Sequence, residues 1–216
     1  MFEWLGLETI AVVLGIAYLL FAMRENSLCW YCAFISTGIY IWIFGDVSLY
    51  MESALNAYYM VMAVYGWYQW QRGGNSSEGI RLSGWGVKNH LSAIGLVLVL
   101  SAVSGYLLSQ NTDSRLPYID SFTTWGSVVT TYMVARKVIE NWLYWIVIDS
   151  VSIFLYIDRE LYQTAGLFAL YLVLAVIGYL AWRKAYLEQQ QLSSCCLLYT
   201  SPSPRDLSTS RMPSSA

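Results

Sequence analysis

Charge is what this chain most lacks. Only 12% of its 216 residues are Asp, Glu, Lys or Arg, about half the share of a soluble domain, so an ordinary water-exposed surface is excluded. Fourteen acids against twelve Lys and Arg leave a net charge of −2, with no excess of cations for a nucleic-acid partner. Four cysteines are too few for a disulfide scaffold, and the Cys29–Cys32 CxxC has no second pair within reach to make a zinc or redox site. The one histidine, His90, stands at a helix start and reads as an interfacial residue. No GxSxG, HExxH or phosphate-binding loop occurs, so no catalytic residue, metal site or cofactor is expected and the chain does not read as an enzyme.

What remains is apolar and aromatic. Hydrophobic residues make up 57% of the chain, with 18 Tyr and 10 Trp, types that favour membrane–water interfaces. Apolar runs recur at residues 5–23, 28–45, 54–70, 91–108, 118–135, 142–157 and 165–182. At about 1.5 Å per residue most reach roughly the 30 Å of a hydrocarbon core. The runs are continuous rather than alternating, which favours helices over a barrel. The first run is no convincing signal peptide: Glu3 and Glu8 sit where cations belong. The expectation is an all-α integral membrane protein of seven transmembrane helices, with the lipid bilayer as its surroundings.

Taken alternately, the junctions on one side carry Arg24, Arg72, Arg81, Lys88, Arg136, Lys137, Arg183 and Lys184, and those on the other only Arg115 and Arg159. That asymmetry places the first side in the cytoplasm, the N-terminus outside and the C-terminus inside. An Asn-Ser-Ser sequon at residues 75–77 then falls on the cytoplasmic side and goes unused.

The chain also repeats itself. Shifted by 112 residues, 24–70 aligns without a gap on 136–182, with 14 identities in 47 positions, among them Arg24/Arg136, Trp30/Trp142, Tyr59/Tyr171, Gly66/Gly178 and Trp70/Trp182. Chance would give roughly four or five, so self-similarity is the better reading. Both copies start on the cytoplasmic side, and a parallel repeat of three helices needs one extra crossing between copies. The run 91–108, which matches neither copy, supplies it. The architecture is three plus one plus three: a first repeat over 1–72, a cytoplasmic loop and linker helix over 73–112, a second repeat over 113–188. Residues 189–216 read as a disordered, non-native extension, with eight serines and three of the four prolines in the last 24 positions. The adjacent Cys195 and Cys196 have the setting of a palmitoylation site in a eukaryote.

Parallel repeats about an axis along the membrane normal are found in transporters, with the substrate held near the midplane between them. Residues three and four apart share a helix face, so Trp142, Trp145, Asp149 and Ser152 form one stripe, with Asn141 beside it. A carboxylate at the depth of Asp149 costs several kcal/mol unless it faces a cavity or a partner. It either holds helices together or lines a polar pocket. The expected pocket has one wall from Asn141, Trp142, Trp145 and Asp149, and the other from Asn56, Tyr59, Gln69 and Trp70.

These same residues carry a family resemblance. "ARKVIENWLYWIVIDSVSIFLY" (135–156), with its WxxW at Trp142 and Trp145, resembles the bacterial PnuC transporters of nicotinamide riboside. "YGWYQW" (65–70) and "TTWGSVVTTYMVARK" (123–137) are similar to that family too, and the likeness covers roughly residues 8–185. It implies a SWEET-like fold, a homotrimer with one path per protomer, a place in the bacterial inner membrane, and uptake by facilitated diffusion with the vitamin trapped by cytosolic phosphorylation for NAD biosynthesis. The pocket chemistry agrees: Trp offers a cation–π face to a pyridinium, Asn and Gln suit an amide and hydroxyls, and Asp149 offsets the positive charge. One departure is the short N-terminus, without the extra leading helix of some members. Two alternatives stay open: a transporter of another small solute, such as a sugar or a different vitamin, and a seven-helix receptor. The repeat argues against the receptor, and the absence of Lys from 165–182 against a retinal protein.

Overall fold

The computed structural model describes residues 2–46, 50–73, 79–111 and 115–200. The sequon at 75–77 and residues 201–216 lie outside them. Seven helices follow one another: α1 (Phe2–Met23), α2 (Leu28–Asp46), α3 (Tyr50–Arg72), α4 (Val87–Asn111), α5 (Pro117–Ala135), α6 (Asn141–Asp158) and α7 (Tyr162–Thr200). Their starts and stops follow local chemistry. Pro117 opens α5, where its missing N–H costs nothing. The Asn26 carboxamide accepts from the Leu28 N–H at 2.9 Å at the head of α2. α7 runs on to Thr200, past the boundary expected at residue 188, because Leu187–Thr200 contains no helix breaker and Pro202 is the first proline after it.

Three helices, over 6–23, 87–111 and 162–192, are long and apolar enough to cross a membrane on their own composition. The others are shorter or carry inward-facing polar groups. Among these are Asn56 on α3, Thr130 and Thr131 on α5, and Asn141, Asp149 and Ser152 on α6. Apolar side chains such as Trp42, Val61 and Val147 are exposed on their outer faces.

The helices form a ring. α2 packs against both α1 and α3, α6 against both α5 and α7, and the circle closes through α3 on α5 and α1 on α7. α4 stands outside it, packed on α5. Its inner stripe is Ala93, Val97, Ser101 and Gly105, all buried at a spacing of four. Leu91, Val99 and Tyr106 on its other faces are more than half exposed, as a lipid-facing surface would be. Ser104 holds α4 to the ring by accepting from the Trp125 indole at 3.0 Å. The two closing contacts are repeat mates, since α1 corresponds to α5 and α3 to α7.

The repeat is reproduced down to single bonds. Glu25 and Lys137, 112 residues apart, both take left-handed backbones (φ 53° and 51°) just after α1 and α5. Their N–H groups donate to Ala22 and Val134, themselves mates, each at 3.0 Å. The next residues, Asn26 and Val138, donate to Phe21 and Met133 at 3.0 Å. An αL residue closing a helix satisfies carbonyls that would otherwise be orphaned.

Candidate functional site

The ring encloses a cavity of about 310 Å³, at the lower end of the roughly 300–1,000 Å³ usual for small-molecule pockets. All six ring helices line it and α4 does not. Much of the lining falls at repeat-equivalent positions: Gly15 and Ser127, Leu19 and Thr131, Trp30 and Trp142, Ala33 and Trp145, Thr37 and Asp149, Asn56 and Phe168, Tyr59 and Tyr171. The cavity therefore sits on the pseudo-two-fold axis. Only the tryptophan pair Trp30/Trp142 and the tyrosine pair Tyr59/Tyr171 are identical. The other five pairs differ, and they set the chemistry.

The second repeat brings the charge and two hydroxyls from α5, while Ser36, Thr37 and Tyr40 of the first repeat add hydroxyls from α2. Asp149 is buried against the cavity at 3% exposure, and among the described residues no Lys or Arg pairs with it. The lining contains no Lys, Arg or His. Ser127 and Thr131 add hydroxyls from α5, Thr131 donating to the Ser127 carbonyl at 2.8 Å. Opposite them the first repeat offers Gly15 and Leu19. Trp145 supplies an indole where the first repeat has Ala33. The first repeat answers with Asn56 where the second has Phe168. Such a space can hold a flat ring between aromatic faces, neutralise one positive charge and hydrogen-bond hydroxyls or an amide.

Trp30 and Trp142 bound the cavity at the end nearest the helix junctions. Each lies on a glycine of the neighbouring helix, Trp30 on Gly66 and Trp142 on Gly178; a Cβ at Gly178 would come within 2.7 Å of the Trp142 ring. Both tryptophans are buried, and neither indole N–H has an acceptor among the described residues. A buried donor left unpaired costs about 1–3 kcal/mol, so a ligand offering an acceptor here would recover that loss.

Of the eight expected site residues, Trp142, Trp145, Asp149, Asn56 and Tyr59 meet around the cavity. Asn141, Gln69 and Trp70 do not line it. Asn141 is fully buried in the first turn of α6, its Nδ2 donating to the Val138 carbonyl at 2.6 Å. Gln69 bonds its own helix neighbour, Nε2 to the Tyr65 hydroxyl at 3.0 Å. Trp70 is buried below the cavity and donates to the Val134 carbonyl at 3.2 Å. A helix stripe gives the face of a residue but not its depth: Asn141 and Trp70 lie too near the ends of their helices, and Gln69 lies off the stripe shared by Asn56 and Tyr59. The lining residues that reasoning passed over, Tyr171 and Trp30 among them, were readable as repeat mates of Tyr59 and Trp142.

The chain matches a protein-family model described as "Nicotinamide mononucleotide transporter" over residues 5–184. It is 26% identical over 184 residues to the riboflavin/roseoflavin transporter RibM of Streptomyces davaonensis, covering 81% of this chain and 83% of that one. It is 21% identical over 201 residues to the nicotinamide riboside transporter PnuC of Escherichia coli, covering 82% and 84%. Among solved structures it resembles the crystal structure of the vitamin B3 transporter PnuC, with a TM-score of 0.64 at 24% identity, over 83% of this chain and 81% of that one.

Proposed function

Because the chain belongs to the nicotinamide mononucleotide transporter family, that of the PnuC proteins, we propose that it carries nicotinamide riboside across the bacterial inner membrane by facilitated diffusion. The reading rests on one observation above others: a lone buried carboxylate, Asp149, among the indoles of Trp30, Trp142 and Trp145, in a cavity lined by no cation. A cationic pyridinium stacks on indole and gains about 0.5–2 kcal/mol from it, more as water is excluded. Asp149 balances the charge that remains. The carboxamide and ribose find Asn56, Ser127, Thr131, Tyr59 and the two unpaired indole donors. No ion gradient enters this scheme: phosphorylation in the cytosol traps the product and keeps the flow inward. The end of the bundle that carries most of the cations faces the cytoplasm, and the protomers associate as a homotrimer, each with its own path.

A second reading has a specific support, the 26% identity to a riboflavin transporter. An isoalloxazine would use the same aromatic faces but carries no positive ring for Asp149. Calorimetry on the purified protein separates the two. Nicotinamide riboside should bind at least about tenfold more tightly than nicotinamide, thiamine, glucose or riboflavin, since one matched charge and stack is worth about 1.4 kcal/mol or more. Riboflavin binding without nicotinamide riboside binding would replace the first reading with the second. Orientation is checked by cysteines at Gly86 and Asn111, which should label from opposite faces, Gly86 from the cytoplasm.

A further inference from the structure

Between the cavity and the nearest helix junctions lies a closure built twice over. Beneath Trp30 and Trp142 the rings of Trp70 and Trp182 meet across the axis at 6.0 Å. Each also stands edge-on to the tryptophan of its own repeat, Trp30 to Trp70 at 5.4 Å and 87°, Trp142 to Trp182 at 5.5 Å and 88°. Their indoles cross over. Trp70 of the first repeat donates to Val134 of the second at 3.2 Å, and Trp182 of the second donates to Ala22 of the first at 3.0 Å. Ala22 and Val134 are repeat mates, so the two bonds are one bond applied twice.

Below this layer the mates Glu25 and Lys137 form an ion pair, Nζ to Oε2 at 3.0 Å, with side chains 28% and 11% exposed. The Lys137 ammonium also sits 4.9 Å from the centre of the Trp70 ring. Both residues hold the left-handed backbone that an ordinary side chain adopts at a cost. That conformation aims the acid of one repeat at the base of the other. A segment before α4 reinforces it: Ser83 donates to the Lys137 carbonyl at 3.1 Å and accepts from the Ile139 N–H at 3.0 Å.

We propose that Glu25 and Lys137 are the latch of this end of the substrate path. They are positioning residues of the transport cycle, holding the Trp70–Trp182 layer shut until the two repeats part. The two crossed indole bonds and the ion pair each join one repeat to the other across the axis, so a ligand leaving the cavity at this end must break them together. The closure opens as a unit rather than by the swing of one side chain. This follows from membership of a transporter family and stands whichever solute is carried.

The test reads access rather than substrate. In the full chain, with native cysteines replaced by serine, Ala33→Cys places a thiol in the cavity lining. A charged, membrane-impermeant thiol reagent is added in proteoliposomes to the face bearing residues 79–86. Labelling should be slow in this parent. Glu25→Gln and Lys137→Gln should each speed it about tenfold, as losing a charge-assisted bond shifts a closed population toward open. The exchange Glu25→Lys with Lys137→Glu should bring it back toward the parent rate, and Lys137→Arg should keep it slow. Should a glutamine variant prove unstable, Trp70→Phe, which removes one crossed bond, reads the same opening at smaller size. Unchanged labelling in the variants would overturn the latch. So would an exchange variant that labels as fast as the singles while remaining folded, because the pair would then matter to the fold and not to the gate.

Discussion

The two repeats agree where their tryptophans pack and differ at the cavity. Where helices meet, the mates are the same residues making the same contacts: Trp30 on Gly66 and Trp142 on Gly178, Trp70 to Val134 and Trp182 to Ala22. Where they face the cavity, they diverge: Ala33 against Trp145, Thr37 against Asp149, Asn56 against Phe168. Packing tolerates little change because a buried indole fills a space only a glycine leaves. The cavity is free to change because nothing in the fold occupies it. Symmetry supplies the machine, and its breaking supplies the choice of cargo.

The comparison breaks first at the glycines. Gly178→Ala and Gly66→Ala should each cost roughly 1–3 kcal/mol, because a rigid indole cannot move aside for the new methyl. Thermal unfolding in detergent should show losses of similar size for the two. A loss at one glycine alone would mean that the repeats pack differently.

At the cavity the opposite is expected. Trp145→Ala should weaken binding of a flat-ringed substrate by about 1–3 kcal/mol, by analogy with base–aromatic stacking, while Ala33→Gly, at its mate, leaves affinity nearly unchanged. Titration calorimetry measures both. Trp145→Phe should lose less than Trp145→Ala, because a ring remains.

Asp149→Asn sharpens the contrast further. It keeps shape and removes charge, so a cationic riboside should lose about 1–2 kcal/mol of affinity, with a neutral isostere losing much less. Equal losses would leave Asp149 a structural residue. The paired change Thr37→Asp with Asp149→Thr moves the charge to the mate and should recover part of the loss.

Smaller effects come from single bonds. Trp70→Phe and Trp182→Phe each remove one indole donor, at about 0.5–1.5 kcal/mol apiece, and the two losses should match in a denaturation series. The smallest lies at the opposite end, where Arg159 reaches Asp120 with bonds of 2.6 and 2.7 Å while partly open to solvent. Asp120→Asn there should cost less than about 1 kcal/mol. The first repeat has Glu8 and Val47 at those positions, with no cation to pair.

Much of this was legible in the chain. The deficit of charge and the apolar runs led to membrane helices, and the 112-residue repeat led to two parallel units with a linker helix between. What periodicity could not carry was depth and partnership. Gly66 and Gly178 read as small residues that let helices approach, yet each is a seat for one named tryptophan. Asn56, Tyr59 and Trp70 share a stripe, yet the first two meet the cavity and the third seals it. Glu25 and Lys137 are not identical, so counting identities passed over a mated pair joined by charge. Their opposite signs at equivalent positions were visible, and only the axis in three dimensions gave them meaning.

That pair also says something about descent. Two separate copies of the first repeat, assembled on the same axis, would set one Glu25 carboxylate against another. Two copies of the second would set Lys137 against Lys137. Either homodimer would be driven apart at the point where the present molecule is held together. Joining the halves in one polypeptide let a position that meets its own image carry two different residues, and like charges at that position disfavour pairing of either half with itself. The duplication is recorded in the fourteen identities. The divergence of the two copies is recorded in one ion pair.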